Sequence, residues 1–208
     1  MTIYRHFYVK SHAITTPKIN LKDLPGSAGR LDVLARCINA AFWLSYGIRK
    51  NVIFHTILHG EPDPPVYIRL EGKRLRKVSP DERSIAIFLK KALERMVKGK
   101  EVESTPGIFV SKKSFNELLE ENKDMDFYLF TEEGKAIESI EISQKPFFFL
   151  GDYKDLNEEE KKLLHEYGAI PVSIGKRAYL SSHCIVIINW ILDKLEKTKQ
   201  KNYNYLYY

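Results

Sequence analysis

The first half of the chain changes its hydrophobic period several times. Apolar and polar residues alternate along residues 3–9, which is the two-residue period of a strand. From Arg30 to about Gly47 the apolar positions recur at the spacing of one helical face. The stretch between them, residues 13–29, is rich in turn-forming residues and predicts a long loop. A long ordered loop in a compact domain is often functional.

Prolines and glycines divide the rest of the first half. Proline lacks the amide hydrogen that a strand interior needs, and glycine beside a polar residue suits a hairpin turn. Serine followed by proline is typical of a helix start. The pattern therefore predicts a strand at 51–58, a loop at 59–65, a hairpin insertion with arms at 66–70 and 73–77, and a helix capped by Ser79 with Pro80 at its first position.

In the second half, short apolar runs alternate with amphipathic stretches. The run at 147–150 is apolar at every position, which predicts a central strand buried on both faces. Strands that alternate with helices are typical of a mainly parallel sheet flanked by helices, so the predicted class is α/β. The strands are predicted at 107–110, 126–131, 147–150 and 169–174, and the helices at 114–122, 157–167 and 182–195.

Length and composition favour one domain. A chain of 208 residues suits one domain of ordinary size, placed at 1–195, and the Lys- and Tyr-rich stretch 196–208 predicts a mobile tail. No run reaches the roughly 20 apolar residues of a membrane span, and the N-terminus lacks the pattern of a signal peptide. We therefore expect a cytoplasmic protein. The net charge of +6 permits a polyanionic partner without proving one.

Several kinds of chemistry lose support. Cys37 and Cys184 are too few for a disulfide framework, and neither has the spacing of a zinc site. The histidines show no ligand spacing either, so no metal is expected. The chain has no dinucleotide-binding GxGxxG and no phosphate-binding GxxxxGK[ST] motif, which disfavours hydride transfer and nucleotide hydrolysis.

Two apolar strands of the second half end in glycine-bearing loops. Gly151-Asp152 follows the first strand, and Gly175 lies in the 173–180 loop after the second. Ligands of open α/β sheets bind beyond the carboxyl ends of strands, where glycine allows close approach to the backbone. We expect the two loops to be adjacent walls of one pocket, completed by the amides at the start of the last helix. The alternative is that both glycines serve tight turns only.

These loops carry a resemblance to a known family. The stretch 146–195, with Gly151-Asp152, Ser173-Ile174-Gly175 and the helix entered through residues 180–184, resembles the trefoil-knotted cofactor site of the SPOUT RNA methyltransferases. With the segments 11–13, 29–36 and 60–62 added, the whole chain is similar to the archaeal tRNA pseudouridine N1-methyltransferases of that class. The resemblance implies a C-terminal trefoil knot, a homodimer, S-adenosylmethionine as methyl donor and the pseudouridine at position 54 of tRNA as substrate.

The resemblance also implies that the two halves of the chain have different roles. Residues up to about 105 would face the RNA, and residues from about 106 to 195 would form the knotted, cofactor-binding half. Taken alone, Leu129 is more typical of core, and Cys184 is a small hydrophobe that packs on the cofactor rather than a nucleophile. The implied cofactor-binding residues are Leu129, Gly151, Ser173, Ile174, Gly175, Lys176, Arg177, Ala178, Tyr179, Leu180 and Cys184.

Charged residues at the start of the first long helix are candidates for catalysis. Methylation of N1 requires loss of an imide-type proton, which a carboxylate can accept while arginine holds a phosphate or a developing negative charge. Asp32 is the first candidate base, with Arg30 beside it and Glu61 as the rival base. Asp32 and Arg36 are four residues apart and share a helix face, so the alternative is an exposed ion pair.

Two surfaces are expected to meet partners. The basic residues of the second hairpin arm are candidate RNA contacts, although charge can also protect a solvated strand edge. The last helix has more apolar circumference than one core-facing stripe requires, which predicts a dimer contact. The candidate RNA-binding residues are Arg36, Lys73, Arg74, Arg76 and Lys77. The apolar circumference of the last helix comprises Ile185, Ile188, Trp190, Ile191 and Leu195, and some of that surface is expected to meet a partner.

Two other functions stay open. A related enzyme of the same class could methylate ribosomal RNA or a ribose 2'-hydroxyl, which mapping of the methylated nucleotide would reveal. A non-catalytic RNA-binding protein that retains the pocket only as part of the fold would neither bind nor turn over S-adenosylmethionine.

Overall fold

The structure is a computed structural model that describes the backbone of residues 2–200 and the side chains of residues 2–196. The part of the predicted tail from 201 to 208 lies outside the described residues. The elements are, in chain order, β1 (Arg5–Ser11), α1 (Leu24–Ser27), α2 (Leu31–Phe42), β2 (Trp43–Leu44), β3 (Gly47–Ile48), β4 (Val52–Leu58), β5 (Val66–Glu71), α3 (Glu82–Arg95), β6 (Val102–Thr105), β7 (Ile108–Ser111), α4 (Phe115–Glu121), β8 (Asp126–Ala136), a 3-10 turn (Ile137–Ser139), β9 (Pro146–Leu150), α5 (Glu158–Glu166), β10 (Ile170–Ser173) and α6 (Ser181–Gln200).

One eight-stranded sheet contains strands from both halves of the chain. Its order is β10-β8-β9-β1-β4-β5-β7-β6. The strands from β10 to β4 are parallel to one another, and those from β4 to β6 pair antiparallel. The predicted α/β class with a mainly parallel sheet flanked by helices is therefore confirmed. Because the parallel strands point the same way, the loops after β1, β4, β8, β9 and β10 emerge at one edge.

Helices cover both faces of the sheet. On one face α2, α3 and α6 pack over the aromatic side chains of Phe7, Phe54 and Phe148. On the other face α4 and α5 pack over Phe147 and Phe149. Successive residues of β9 thus point into two different cores, which explains why every position of this strand is apolar and buried. The predicted central strand is confirmed.

The predicted hairpin at 66–77 is wrong. Strand β5 has its partners in β4 and β7, and residues 73–77 form a turn. The backbone carbonyl of Glu71 accepts hydrogen bonds from the amides of Arg74 and Leu75, and Lys77 has a φ of 58°, so the chain cannot continue as a strand there. The edge strand β6, which pairs with β7, was not predicted.

Several predicted boundaries also differ. The helix α3 is capped by the carboxylate of Asp81, which accepts the amide of Ser84, so neither Ser79 nor Pro80 starts it. Strand β10 is one residue shorter at each end than the predicted 169–174, and it lies at the edge of the sheet. The first long helix ends at Phe42, where the chain turns outward, and the short ladder of β2 and β3 follows.

The last helix continues past its predicted end because an arginine at the start of β1 binds it. The Arg5 side chain is fully buried, with its guanidinium 3.0 Å from Asp193 and 2.8 Å from Glu196. Arg49 binds the other oxygen of Asp193 at 2.7 Å. Glu196 lies one residue beyond the predicted end of the helix, so polar contacts hold a part of α6 that the apolar pattern did not predict.

Candidate functional site

A cavity lies where β9 and β10 end and α6 begins, beside the middle of β8. It encloses about 170 Å³ and opens to solvent. Apolar side chains on one side and main-chain groups of two loops on the other make its surface suitable for a ligand with a flat apolar part and several polar groups. The lining residues are Phe130, Thr131, Glu132, Leu150, Gly151, Asp152, Tyr153, Lys154, Asp155, Ser173, Ile174, Gly175, Arg177, Tyr179, Ser181 and Cys184.

The first loop is a tight turn in which only glycine fits at position 151. A Cβ atom on Gly151 would lie 2.1 Å from the backbone oxygen of Lys154, so any side chain would break the turn. The hydroxyl of Ser181, at the start of α6, donates to the oxygen of Gly151 at 2.6 Å. This bond ties the first loop to the helix that closes the cavity. Gly151 is thus required by the turn itself.

The second loop is held at its base and exposed at its tip. Gly175 has a φ of 141°, a conformation that strains other residues. Its amide donates to the Ser173 hydroxyl oxygen at 3.0 Å, whereas the nearest atom that a Cβ would meet is 4.0 Å away on the Tyr179 ring. Residues 175–180 are exposed. Space for a side chain exists here, but the backbone conformation disfavours one.

The structure brings most of the predicted cofactor-binding residues together. Those that line the cavity are Gly151, Ser173, Ile174, Gly175, Arg177, Tyr179 and Cys184. Lys176, Ala178 and Leu180 belong to the same loop but point elsewhere. Leu129 packs in the core beneath α4 and α5, and its three successors in β8 form the wall instead. The turn residues from Asp152 to Asp155 were missed, although they directly follow the predicted Gly151.

The thiol of Cys184 is buried at the wall of the cavity. Burial raises its pKa to about 11, so the group stays a neutral thiol near pH 7. Its sulfur lies 4.0 Å from the backbone oxygen of Tyr179. These surroundings favour packing over nucleophilic attack. Cys37 is also buried and free.

Asp32 is clamped by two arginines rather than exposed. Arg30 binds both of its oxygens at 3.0 Å, and Arg36 binds one of them at 2.7 Å. Burial alone would raise the pKa of Asp32, but the hydrogen bond from Arg30 and the positive charges of Arg30 and Arg36 outweigh it, and the pKa is lowered. The side chain of Asp32 is only 6 % exposed, whereas those of the arginines are 43 % and 42 % exposed. The outer face of this cluster is therefore positive.

His12, which the sequence did not single out for chemistry, lies beside this cluster and the cavity. Its Nδ1 is 3.0 Å from Oδ1 of Asp152, and its backbone amide donates to Oδ2 at 2.7 Å. The ring of Tyr153 contacts the His12 ring, with centroids 5.4 Å apart, and the Arg30 guanidinium at 5.7 Å. The rival base Glu61 is exposed in the loop after β4.

Four of the five predicted RNA contacts, those of residues 73–77, do not lie near the cavity. The turn that carries them follows β5, whose end pairs with the beginning of β4, since the amide of Gly72 donates to the oxygen of Val52 at 2.9 Å. The cavity lies at the opposite edge of the sheet. Arg74 is paired with Glu103 at 2.6 Å. Lys73, Arg76 and Lys77 are exposed at that distant edge.

The apolar side of α6 is mostly used by the core. Ile185, Ile188 and Ile191 are buried in the core, so they do not supply the surface that is expected to meet a partner. Trp190 and Val186 remain more than half exposed. They are four residues apart and share a face, and Leu180 is exposed just before the helix.

Neither a metal-binding cluster nor a membrane-spanning helix is found among the residues that the structure describes. No three His, Cys, Asp or Glu side chains within the part of the chain that the structure describes are placed to hold a metal ion. None of its described helices combines the length and apolarity needed to cross a membrane.

Comparisons with known proteins agree with this architecture. Residues 4–197 match a family described as "Putative SAM-dependent RNA methyltransferase". Proteins named tRNA (pseudouridine(54)-N(1))-methyltransferase are similar to the chain: that of Methanocella arvoryzae is 48 % identical over 91 % of this chain and 99 % of its own length. The Methanocaldococcus jannaschii protein of the same name is 44 % identical over 91 % and 97 %, respectively.

A solved structure is similar in fold. The Archaeoglobus fulgidus Nep1 structure bound to S-adenosylhomocysteine superposes with a TM-score of 0.64. It covers 94 % of this chain and all of its own, at 13 % identity. At that identity the likeness concerns the fold alone.

Proposed function

The chain belongs to this family of S-adenosylmethionine-dependent RNA methyltransferases, and on that premise we propose that it methylates N1 of pseudouridine 54 in tRNA. The observation that carries the proposal is the similarity, over more than nine-tenths of the chain, to relatives named for this reaction. The predicted family and its methyl donor are confirmed by the match. The specific nucleotide is carried over from the relatives.

The cavity suits the methyl donor. S-adenosylmethionine supplies, when bound, a methyl group on a positively charged sulfur. Phe130, Leu150 and Ile174 offer apolar surface for an adenine ring, and the main chain of the two loops offers hydrogen bonds to its edge. The carboxylates of Glu132 and Asp155 can receive hydroxyl or ammonium donors. The residues present therefore fit this group.

The positive cluster beside the cavity is proposed to hold the RNA. Arg30 and Arg36 share one carboxylate and present their outer faces to solvent, where a phosphate can bind without displacing Asp32. The lowered pKa of Asp32 favours a role in orienting the arginines over the predicted role of proton acceptor. Tyr153, in contact with Arg30, offers a flat surface for a base.

The dimer, the knot and the compartment are further proposals. The exposed Leu180 belongs to the loop that lines the cavity, and the exposed Val186 and Trp190 lie on the helix that follows, so a second copy packed there would cover apolar surface. The strand order β10-β8-β9 and the packing of α6 against α2 suit a trefoil knot. A crystal structure would test this, because joining the two chain ends by a line outside the molecule shows whether the backbone is knotted. A tRNA-modifying enzyme of this kind is expected to act in the cytoplasm.

The test is methyl transfer to defined tRNAs. Transcripts with pseudouridine or uridine at position 54, matched otherwise, are incubated with labelled S-adenosylmethionine and analysed as nucleosides. We expect N1-methylpseudouridine from the first transcript only. A ribose-methylated nucleotide, or methylation of ribosomal RNA alone, would replace the proposal by the related enzyme. RNA binding without turnover would replace it by a binding protein.

A further inference from the structure

The loop after β1 places His12 against the cavity. In the sheet β1 lies next to β9, with Val9 opposite Leu150, so the residues that follow the two strands are neighbours. The Asp152 side chain is fully buried and accepts hydrogen bonds from the His12 amide and ring. Asp152 itself lines the cavity. His12 therefore contacts the cavity through Asp152, which lies between them.

The backbone of His12 is packed between two glycines. A Cβ on Gly29 would lie 2.5 Å from the oxygen of His12, and a Cβ on Gly60 would lie 2.5 Å from the oxygen of Ala13. The amide of Gly60 also donates to that oxygen of Ala13 at 3.0 Å. Three loops that are far apart in sequence therefore meet with no room for side chains. This packing fixes the position from which the imidazole extends.

One nitrogen of the imidazole remains available. The carboxylate of Asp152 accepts from Nδ1–H, which leaves the lone pair of the neutral ring on Nε2. No hydrogen bond within the described part of the chain reaches Nε2, and the side chain is 25 % exposed. A buried carboxylate that fixes one imidazole nitrogen so that the other can take a proton is the arrangement of a general base.

We propose that His12 is the general base of the methyl transfer, with Asp152 as its positioning residue. The inference rests on the proposed function. The N1–H bond of pseudouridine breaks and its proton passes to Nε2, the electron pair of N1 takes up the methyl group, and the electron pair of the donor's C–S bond stays on sulfur. The proton then leaves His12 for water, so the base is regenerated.

The two carboxylates that the sequence offered as bases are weaker candidates. Both oxygens of Asp32 are bound by arginines, and its lowered pKa reduces its basicity. Glu61 is exposed, and no hydrogen bond of the described residues orients its side chain. Of these three side chains, His12 is the one that combines an oriented ring with a nitrogen that is open to a substrate.

The first test compares rates at saturating tRNA and cofactor. In single turnover His12→Gln should lose about 10²-fold or more, the range of a removed general base, and added imidazole should partly restore His12→Ala. His165→Gln, on the exposed side of α5, is the matched control. Calorimetry should give unchanged S-adenosylhomocysteine affinity in His12→Gln.

The second test needs no turnover. Nitrogen NMR of the His12 ring in the unliganded protein should show hydrogen on Nδ1, and Asp152→Asn should shift hydrogen toward Nε2, since the amide can donate to Nδ1. Hydrogen on Nε2 in the wild type, or a His12→Gln rate within about threefold of wild type, would overturn the assignment. Inactivity of the wild type on pseudouridine tRNA would instead refute the proposed function. If another nucleotide is methylated, the same rate criteria apply to it.

Discussion

Replacement of Asp32 by Asn separates the two roles that a carboxylate can have at this site. The substitution keeps the size of the side chain and one acceptor oxygen but removes the charge that Arg30 and Arg36 share. If Asp32 orients the arginines, RNA affinity should fall while the chemical step persists. If Asp32 accepts the proton, the chemical step itself should fall by about 10²–10⁴-fold.

The cost to stability follows from the contacts. A hydrogen bond to a charged group contributes about 1.5–3 kcal/mol when buried, and an exposed ion pair under about 1 kcal/mol. The carboxylate is buried but both arginines are more than 40 % exposed, with side-chain exposures of 43 % and 42 %. Because Asn retains part of the bonding, we expect the free energy of unfolding to fall by about 1–2 kcal/mol.

The stability lost should depend on pH in one direction. Folding lowers the pKa of Asp32, so the folded state favours the charged carboxylate more than the unfolded state does. The contribution is present above the unfolded carboxylate pKa of about 3.9 and is lost as the pH falls through the lower folded value. The difference in stability between wild type and Asp32→Asn should therefore shrink in acid.

The assay combines denaturant unfolding, tRNA binding and single-turnover rates. We expect roughly tenfold weaker tRNA binding, about 1.4 kcal/mol, and a rate at saturating tRNA within about threefold of wild type. Glu82→Gln is the matched control, since Glu82 lies 4.0 Å from Arg36 and is half-exposed. A hundredfold loss of rate with unchanged tRNA affinity would refute the orienting role and restore Asp32 as the proton acceptor.

Three further substitutions test other parts of the structure. Gly175→Val should abolish S-adenosylmethionine binding in calorimetry, because the φ of 141° at this position strains a branched residue. The control Gly99→Val, at an open position that also has a positive φ, should bind S-adenosylmethionine as wild type does. Equal binding by both variants would show that the Gly175 loop is not part of the pocket. Arg5→Ala should lower the free energy of unfolding by about 3–5 kcal/mol, because the arginine is buried and paired, and a loss below 1 kcal/mol would contradict its anchoring role. Trp190→Glu should turn the proposed dimer into a monomer in sedimentation, since the exposed indole lies on the proposed interface, and a wild-type monomer would exclude that interface.

Local patterns predicted the elements that depend on local sequence. The apolar run of β9 indicated its burial because a strand in a sheet covered by helices on both faces has no exposed side. The glycine loops indicated the cavity because ligands of such sheets bind beyond the strand ends. The predicted hairpin was wrong because strand pairing depends on distant parts of the chain. Strand β5 pairs with β7, with Leu70 opposite Ile108, and no local pattern in the sequence predicts a partner at that separation. The same limit hid the contact of Arg5 with Asp193.

The contacts of the acid-base candidates differ in what must be known to predict them. Asp32 and Arg36 lie one helical turn apart, so spacing alone indicated their contact. His12 and Asp152 are 140 residues apart, and no spacing rule connects them. Their contact nevertheless follows from one topological fact, the parallel pairing of β1 with β9, because residues two or three positions past paired strand ends must emerge side by side. The sequence alone therefore did not give the order of strands in the sheet. Once β1 is known to lie beside β9, a contact between His12, after β1, and the buried Asp152, after β9, is expected.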